Sequence, residues 1–377
     1  MRPEVFEAML PYFTRFGYNA SSTHAEGRAA RAALDDARAR VASLLGARPK
    51  EIVFTSSGSE GATLAIAGGA KAGSSRGRHL VSLRTEHHAV LHTLEALRGE
   101  GFEVSLLEVD GNGRIDPEQF RASLTARTIL ASVAYANNEL GTIAPIPSLA
   151  GSARERGVLF HTDAVQAPLS LPLNCRTLGV DLLSLAAHKF YGPKGTGALF
   201  VREGTALQPT TYGGSQEDSK RAGTENIAGI VGLATALELA SAERESTARR
   251  MAALRDELEA GFLRIRSTSV NGAGAPRLPN ISSVSFVGVT SEALLMRLDL
   301  EGIAVSAGSA CASGAIEPSH VIAALGLDEA RRTSVVRFSL GRTTTQSEIA
   351  RTVSIVERVV PELRSGFEAA ATGNSSS

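Results

Sequence analysis

The segment VDLLSLAAHKFYGPKGTGALFVR, residues 180–202, joins two short apolar runs through a polar, glycine-rich turn. The apolar runs predict two buried strands, and Lys189 follows the first of them directly. The turn does not have the spacing of a nucleotide-binding P-loop. A lysine in a partly desolvated position can form a Schiff base with an aldehyde, whereas the ordinary interpretation is a surface lysine with a packed stem.

Strand-like runs alternate with helical patterns from residue 28 to residue 205. Besides the two runs above, the candidate strands are EIVFTS, RHLVSL, FEVSLLEV, TILASVAYA and GVLFHTDA. The intervening patterns, such as residues 87–102, are amphipathic and end at glycine. The alternation predicts an α/β fold with a mostly parallel sheet sandwiched by helices. Ligands in such folds bind beyond the carboxyl ends of the strands.

A second, smaller α+β domain is predicted at the C-terminal end. A charged amphipathic helix over residues 241–267 leads into the runs NISSVSFVGV, IAVSAGSACASGA and SVVRFSLG. We expect a large domain over residues 1–243, in which residues 1–12 could pack on the small domain. The small domain is expected over residues 244–370, followed by a disordered tail at 371–377.

The composition excludes several classes of protein. The formal net charge is zero, which argues against direct binding of nucleic acid or of an anionic membrane. The apolar stretch at residues 226–240 is too short to span a bilayer, and the N-terminus lacks the pattern of a signal peptide. Two cysteines, Cys175 and Cys311, are too few for a disulfide framework, so we expect a cytoplasmic protein.

Polar residues follow four of the other predicted strands. Residues 56–60, SSGSE, could bind phosphate through backbone amides at a helix N-terminus, but such turns are often ordinary caps. His87 is more often a capping or core residue than a catalyst. The asparagines at 137 and 138 could simply form a turn. Asp163 is costly to bury unless a cation faces it, although it could cap a helix.

Together these groups match the needs of pyridoxal phosphate. They comprise a phosphate-binding turn, a ring stacker, an acid, an amide and a lysine, each beyond a different strand. The cofactor acts as an electron sink while a carboxylate keeps its pyridine nitrogen protonated.

The sequence resembles the pyridoxal-phosphate-dependent cysteine desulfurases, specifically the bacterial NifS/IscS-like group of the class V aminotransferase family. The resemblance covers residues 3–365. It is carried by NASSTHAEGR, EIVFTSSGSE, TEHHAVL, NNELGTI, HTDAVQ, AAHKFYGPKGTGAL, GGSQEDSKRAGTENI, SAGSACASGAIEPS and VVRFSLGRTTT, in family order. It implies the fold type I of pyridoxal phosphate enzymes.

The resemblance also implies roles for individual residues. Lys189 resembles the Schiff-base lysine, and His87 resembles the ring-stacking acid or base. The other cofactor-binding residues implied are Gly58, Ser59, Asn138, Asp163 at the pyridine nitrogen, Gln166 at the ring hydroxyl, and His188. Arg337, with Asn138, would bind the substrate. Thr224 resembles a phosphate contact supplied by the partner protomer of a homodimer.

Cys311 resembles the nucleophile that receives the sulfur. It lies in a loop of Gly, Ala and Ser, whose small side chains would allow the loop to move and an acceptor to approach. The resemblance implies conversion of L-cysteine to L-alanine, with a persulfide formed on Cys311 and its sulfur passed to an acceptor protein. The acceptor could serve iron–sulfur cluster assembly or tRNA thiolation. No resident metal is predicted, although Cys311 could transiently ligate an iron–sulfur cluster.

The sequence departs from the family pattern at a few positions. The family has a strand before the point where this sequence starts, and Ala186 replaces a serine that contacts phosphate. Thr63 and Ala20 are further departures. A selenocysteine lyase, an aminotransferase of the same fold and a non-catalytic scaffold for sulfur transfer are alternative functions. Cys175 is expected to be a bystander.

Overall fold

A computed structural model describes residues 1–15, 17–307 and 319–373, with side chains described through residue 366. It divides into two units. The large unit comprises Met1–Leu107, Ile115–Tyr135 and Ala144–Arg244, and the small unit comprises Glu108–Arg114, Ala136–Ile143 and the chain from Glu245 onward. Two short segments of the small unit, Glu108–Arg114 and Ala136–Ile143, precede the domain boundary that the sequence predicts between residues 243 and 244.

The elements of the large unit alternate between helix and strand. In chain order they are α1 (Pro3–Met9), α2 (Pro11–Thr14), α3 (Ala25–Leu44), β1 (Ile52–Thr55), α4 (Gly58–Thr63), α5 (Gly69–Gly73), β2 (His79–Leu83), α6 (His88–Gly99), β3 (Glu103–Leu107), α7 (Pro117–Ser123), β4 (Thr128–Ser132), α8 (Ile146–Glu155), β5 (Leu159–Asp163), α9 (Cys175–Leu178), β6 (Leu182–Ala186) and β7 (Gly197–Val201). Helix α10 (Ile227–Phe262) then runs into the small unit.

The small unit contains shorter elements that follow α10. They are β8 (Thr268–Asn271), β9 (Ile281–Phe286), α11 (Ser291–Leu300), α12 (His320–Ala323), α13 (Glu329–Arg332), β10 (Val335–Ser339) and α14 (Gln346–Gly373). Its strands pair antiparallel in the order β10-β9-β8. Phe262 packs between the sheet residues Phe286 and Phe338, with ring centroids 5.5 and 4.7 Å away, and forms the centre of an apolar core.

The predicted mostly parallel sheet is confirmed. Within the described residues the large unit has seven strands in the order β1-β7-β6-β5-β4-β2-β3, and β7 runs antiparallel to both of its neighbours, β1 and β6. All seven correspond to the apolar runs recognised in the sequence. Strands β2, β4, β6 and β7 are buried throughout, as expected for a sheet covered by helices on both faces. The carboxyl ends of β4, β5 and β6 therefore meet at one edge.

A buried polar row crosses the middle of this sheet. His161 on β5 lies 2.8 Å from the Ser132 hydroxyl on β4 through Nδ1, and 2.8 Å from the Ser184 hydroxyl on β6 through Nε2. Burial lowers the pKa of His161 to about 3, so its ring is neutral. The row links three adjacent strands, and it lies two residues before the end of β5 at Asp163.

Helix α10 differs from the sequence-based expectation. The sequence predicts a charged helix over residues 241–267, after the apolar stretch at 226–240, but Ile227–Phe262 is one helix of 36 residues. No glycine or proline occurs between residues 233 and 260, so no residue there favours a break. Within the part of the chain that the structure describes, no helix has the length and apolar character needed to cross a membrane.

The first residues of the chain make contacts within the large unit. The Arg2 amide donates to the Tyr191 carbonyl at 3.0 Å, and the buried Arg2 guanidinium pairs with Glu243 at 2.9 Å. These contacts tie the start of α1 to the turn that follows Lys189.

Candidate active site

Lys189 lies on a short, well-anchored turn. Strand β6 passes directly into a 3-10 turn at Ala187–Phe190, in which Phe190 is fully buried while Lys189 is exposed. The turn closes through a hydrogen bond of 2.9 Å from the Gly192 amide to the Ala187 carbonyl. A Cβ at position 192 would lie 2.8 Å from the Ala187 Cβ, so glycine is required there. The turn therefore presents the lysine at the carboxyl end of the sheet.

Asp163 ends the neighbouring strand, where it is paired with Ser184 of β6. Its Oδ1 accepts a hydrogen bond of 2.9 Å from the Val165 amide. Surrounding protein atoms raise the pKa of Asp163 to about 6, although this hydrogen bond and the positive charge of Lys189 oppose the rise. The carboxyl group is thus costly to ionise without a cationic partner, and a protonated ring nitrogen would be such a partner.

Glu86 is a second acid near Asp163 that the sequence analysis did not single out. It is 1% exposed, and its Oε1 accepts a hydrogen bond of 2.8 Å from the Ala134 amide. Burial, together with the charge of Asp163, raises its pKa to about 8, although the hydrogen bond from the Ala134 amide opposes the rise. Glu86 is therefore neutral at neutral pH. The only sequence signal was an acid directly before His87, at the end of an apolar strand.

His87 caps helix α6, which is the ordinary function that the sequence analysis weighed. Its Nδ1 accepts a hydrogen bond of 3.1 Å from the Ala89 amide. In a neutral ring the proton is then on Nε2. The ring is partly buried and its centroid lies 6.3 Å from that of His88. The cap uses only the Nδ1 edge of the His87 ring and fixes the ring orientation. The face of the ring can therefore still stack on a ligand.

The turn after β1 has the features of an anion site. The Ser57 hydroxyl caps α4 by accepting a hydrogen bond of 3.1 Å from the Glu60 amide. Gly58 is buried, and a Cβ there would lie 2.7 Å from Val165 Cγ2 and 3.2 Å from the Ala186 Cβ. Ser59 is exposed at the first turn. Backbone amides at a helix N-terminus bind phosphate, and the close packing at Gly58 leaves the backbone uncovered by a side chain.

An ion pair beside this turn was also not anticipated from the sequence. Arg221 Nε lies 2.7 Å from Glu60 Oε1, and both side chains are largely buried. Burial would raise the pKa of Glu60, but hydrogen bonds from Arg221 and Ser56 outweigh burial and lower it. Arg221 thereby compensates a negative charge that would otherwise repel phosphate.

The remaining predicted residues of the large unit lie in turns near strand ends or before a helix. Gln166 is in the turn that follows Asp163 and is partly exposed. The side chain of His188 lies largely at the surface beside Lys189, and partial desolvation, together with the charges of Lys189 and Lys194, lowers its pKa. Thr224 is exposed in the segment that precedes α10. An exposed position is compatible with a contact made to another protomer.

Arg337 and Asn138 belong to the small unit, where the structure brings them together. Arg337 Nη1 donates a hydrogen bond of 2.9 Å to the Asn138 carbonyl. The adjacent Asn137 forms the turn, because its Oδ1 accepts hydrogen bonds of 2.9 Å from the amides of Glu139 and Leu140. The turn interpretation thus holds for Asn137, while Asn138 is partly exposed next to the arginine.

The segment that leads to Cys311 starts beside Arg337. Ser306 and Arg337 form an antiparallel bridge, with the Arg337 amide 2.6 Å from the Ser306 carbonyl. Cys311 itself lies outside the described residues. Cys175 is fully buried in α9, and burial raises the pKa of its thiol. A thiol held in the protonated form is a poor nucleophile, in keeping with its interpretation as a bystander.

The amino-acid sequence matches a known protein family. The model of the aminotransferase class-V family matches residues 1–352. The cysteine desulfurase IscS of Dictyoglomus turgidum is 46% identical over 368 residues, which covers 97% of this chain and 93% of the relative. That of Methanosarcina thermophila is 45% identical over 364 residues, covering 97% and 90%.

Solved structures agree with the sequence relatives. A NifS-like protein superposes with a TM-score of 0.90 at 33% identity, covering 96% of this chain and 97% of that one. A structure described as SspA in complex with cysteine gives a TM-score of 0.80 at 34% identity, covering 90% and 95%. The chain belongs to the class-V aminotransferase family, whose members are pyridoxal phosphate enzymes. Within that family it is a cysteine desulfurase of the IscS/NifS type.

Proposed function

We propose that this protein converts L-cysteine to L-alanine at a pyridoxal phosphate held by Lys189, and that Cys311 receives the sulfur as a persulfide. The observation that carries the proposal is the placement of Asp163 and Lys189 at the carboxyl ends of the adjacent strands β5 and β6. Burial raises the pKa of the Asp163 carboxyl to about 6, and the positive charge of Lys189 opposes that rise. The SspA structure with cysteine supports the choice of substrate for a relative of the same fold.

The residues of the large unit fit the cofactor. Gly58 and Ser59 begin helix α4, whose first backbone amides would bind the phosphate, and glycine at position 58 lets this turn pack closely against Val165 and Ala186. Asp163 would pair with the pyridine nitrogen and Gln166 with the ring hydroxyl, while His87 would stack on the ring. His188 would contact the phosphate. Ala186 has no hydroxyl for it, which removes a hydrogen bond worth about 1.5–3 kcal/mol when the acceptor is charged.

When bound, the cofactor stores the electrons released at the substrate Cα. The Asp163 carboxylate keeps a proton on the ring nitrogen, which maintains that capacity. The Lys189 amine removes the Cα proton and later returns it. His87, whose Nδ1 accepts from the Ala89 amide, exchanges a proton through Nε2.

The small unit would bind the substrate and take its sulfur. Arg337, positioned by the Asn138 carbonyl, suits bidentate contact with the α-carboxylate. The Cys311 thiolate attacks the substrate sulfur. The new S–S bond forms as the carbon–sulfur bond breaks, and its electron pair stays with carbon. Overall, L-cysteine and the Cys311 thiol give L-alanine and the Cys311 persulfide, so no external oxidant is needed.

We further propose a homodimer in which the exposed Thr224 contacts the phosphate bound by the partner protomer. A persulfide is a reactive product, so a protein acceptor must remove the sulfur from Cys311. An iron–sulfur scaffold protein is the acceptor class that we propose, and tRNA thiolation is the other route consistent with this chemistry.

The proposal is tested with Cys311→Ser, using Cys175→Ser as a matched control. Cys311→Ser should retain cofactor absorbance at about 400–420 nm, but lose sulfide release from L-cysteine in the presence of dithiothreitol. Cys175→Ser should retain both. Sulfide release by Cys311→Ser at the wild-type rate would show that this thiol is not the sulfur carrier. Alanine formation from selenocysteine alone, and not from cysteine, would favour the selenocysteine lyase alternative.

A further inference from the structure

A cleft in the small unit is lined by an unusual density of arginine. It has a volume of about 430 Å³ and lies between the segment that follows α10 and the last helix, α14. Its lining includes Arg264, Ile265, Arg266, Glu357, Pro361 and Arg364. None of these residues is among those assigned to the desulfurase reaction.

The positive charge of the cleft is only partly compensated. Arg264 lies 2.8 Å from Glu357, which pairs these two side chains. Arg364 instead donates to backbone carbonyls, at 2.9 Å to Val287 and 2.7 Å to Arg266. Three arginines and one glutamate therefore line the same cleft.

The positive charges of Arg266 and Arg364 repel each other. Burial lowers the pKa of Arg364, and the nearby charge of Arg266 lowers it further. Placing two like charges together costs free energy in the absence of a ligand, and a bound anion would recover that cost. Because two carbonyls hold the Arg364 guanidinium in place, little side-chain entropy would be lost on binding.

The charge, the donor groups and the volume of the cleft indicate which class of anion it would bind. Two uncompensated positive charges match a phosphate monoester, which carries close to two negative charges at neutral pH. Guanidinium groups bind phosphate through paired N–H donors. Pro361, which is exposed, adds apolar surface to the lining, whereas Ile265 is 8% exposed and belongs to the core of the small unit. The volume is in the lower part of the range for small-molecule sites.

We propose that this cleft binds a small phosphorylated molecule whose phosphate lies between Arg266 and Arg364 and whose apolar part contacts Pro361. The site is independent of the proposed desulfurase function, because it uses other residues and a different chemistry. A ligand there would give the small unit a second binding function.

The test uses the pyridoxal-phosphate-loaded protein, so that the cofactor's own phosphate site is filled. Binding of phenyl phosphate is measured by calorimetry, with benzyl alcohol as the neutral comparison ligand. We expect saturable binding of phenyl phosphate that weakens as salt increases, and no binding of benzyl alcohol. Arg266→Gln should weaken phenyl phosphate binding by about tenfold or more.

Two further variants make the result specific. Arg264→Gln should have a smaller effect, because Arg264 is already paired with Glu357. Arg249→Gln removes an equally positive but exposed side chain that does not line the cleft, and should leave binding unchanged. The proposal is overturned if the wild-type protein shows no saturable binding below about 5 mM, a weak affinity by any measure. It is also overturned if Arg266→Gln binds as the wild type does, or if Arg249→Gln loses as much affinity.

Discussion

Glu86 and Asp163 are two carboxyl groups with different protonation states at neutral pH. The fully buried Glu86 has a pKa of about 8, whereas that of Asp163 is about 6. Asp163 is therefore mostly ionised at pH 7 while Glu86 keeps its proton. This difference leaves one negative charge at the end of β5, where the protonated ring nitrogen of the proposed cofactor would pair with it. Two ionised carboxylates so close together would repel each other.

The pH dependence of stability tests the assignment of Glu86. The unfolded state releases this proton near pH 4.5, and the folded state holds it until about pH 8. Between these values the folded state binds the extra proton, so the free energy of unfolding falls as pH rises. The slope contributed by one group reaches about 1.4 kcal/mol per pH unit. Glu86→Gln should flatten the curve by up to this slope, as measured by urea unfolding of the cofactor-free protein from pH 5 to 8.

Glu86→Gln keeps an oxygen acceptor for the Ala134 amide, so folding should be preserved. Glu118→Gln, which changes an exposed acid on α7, is the matched control and should leave the slope unchanged. Parallel curves for wild type and Glu86→Gln would contradict the protonated state proposed for Glu86.

The predictability of the site differs between residues. Lys189, Asp163 and His87 could be singled out because each follows an apolar strand, which is a local pattern. The importance of Glu86 depends on its burial and on the Ala134 amide, which lies two residues after the end of β4. Glu60 likewise gains its charge compensation from Arg221, 161 positions away in the sequence. Contacts between residues so far apart in the sequence cannot be predicted from a short sequence motif.

At the scale of elements, the turn between β1 and α4 is the proposed phosphate site, and its position is fixed by close packing. Gly58 packs against Val165 of the turn after β5 and Ala186 at the end of β6. The turn is thus held by the same strand ends that carry Asp163 and Lys189. A change that moves this turn should affect cofactor binding before it affects the stability of the sheet.

Gly58→Ala tests this relation. The added methyl would lie 2.7 Å from Val165 Cγ2, so the turn must shift. Overpacking of this kind costs about 1–3 kcal/mol, and we expect a comparable loss in cofactor affinity, about tenfold. Affinity is measured by absorbance titration of the cofactor-free protein. Gly99→Ala is the control, since a Cβ there meets nothing within 4 Å, and it should bind as the wild type does. Equal affinity for Gly58→Ala and wild type would refute the close fit.

The elements themselves were predictable to different degrees. The seven strands were recognised because short apolar runs are bounded by glycine, proline or charged residues. Strand β8 (Thr268–Asn271) was not recognised, since its burial is intermediate except at Asn271 and its sequence is polar. Helix α10 was divided in the sequence analysis because its composition changes, although nothing in the backbone preference of those residues interrupts it.

At the scale of the whole molecule, the proposed homodimer makes a prediction of complementation. If Thr224 contacts the phosphate of the partner protomer, Thr224→Asp should inactivate the neighbouring site by charge repulsion. Lys189→Ala should inactivate its own site. Mixing the two variants after reversible dissociation gives hybrid dimers in which one site is intact. Activity should recover to about a quarter of the wild-type value, because half of randomly formed dimers are hybrids.

The recovery is followed as alanine formation from L-cysteine. Each variant alone, taken through the same dissociation and mixing, is the control and should remain inactive. Absence of recovery in a mixture shown to contain hybrids would contradict the placement of Thr224 in the partner's site.

The central claim is that Lys189 carries the cofactor next to Asp163. Borohydride reduction of the loaded protein, followed by proteolysis and mass spectrometry, tests it most directly. The account predicts that the reduced cofactor is attached to the peptide that contains Lys189, and that Lys189→Arg abolishes the labelled peptide. Attachment to another lysine such as Lys194, or no attachment in a protein that has bound the cofactor, would contradict it.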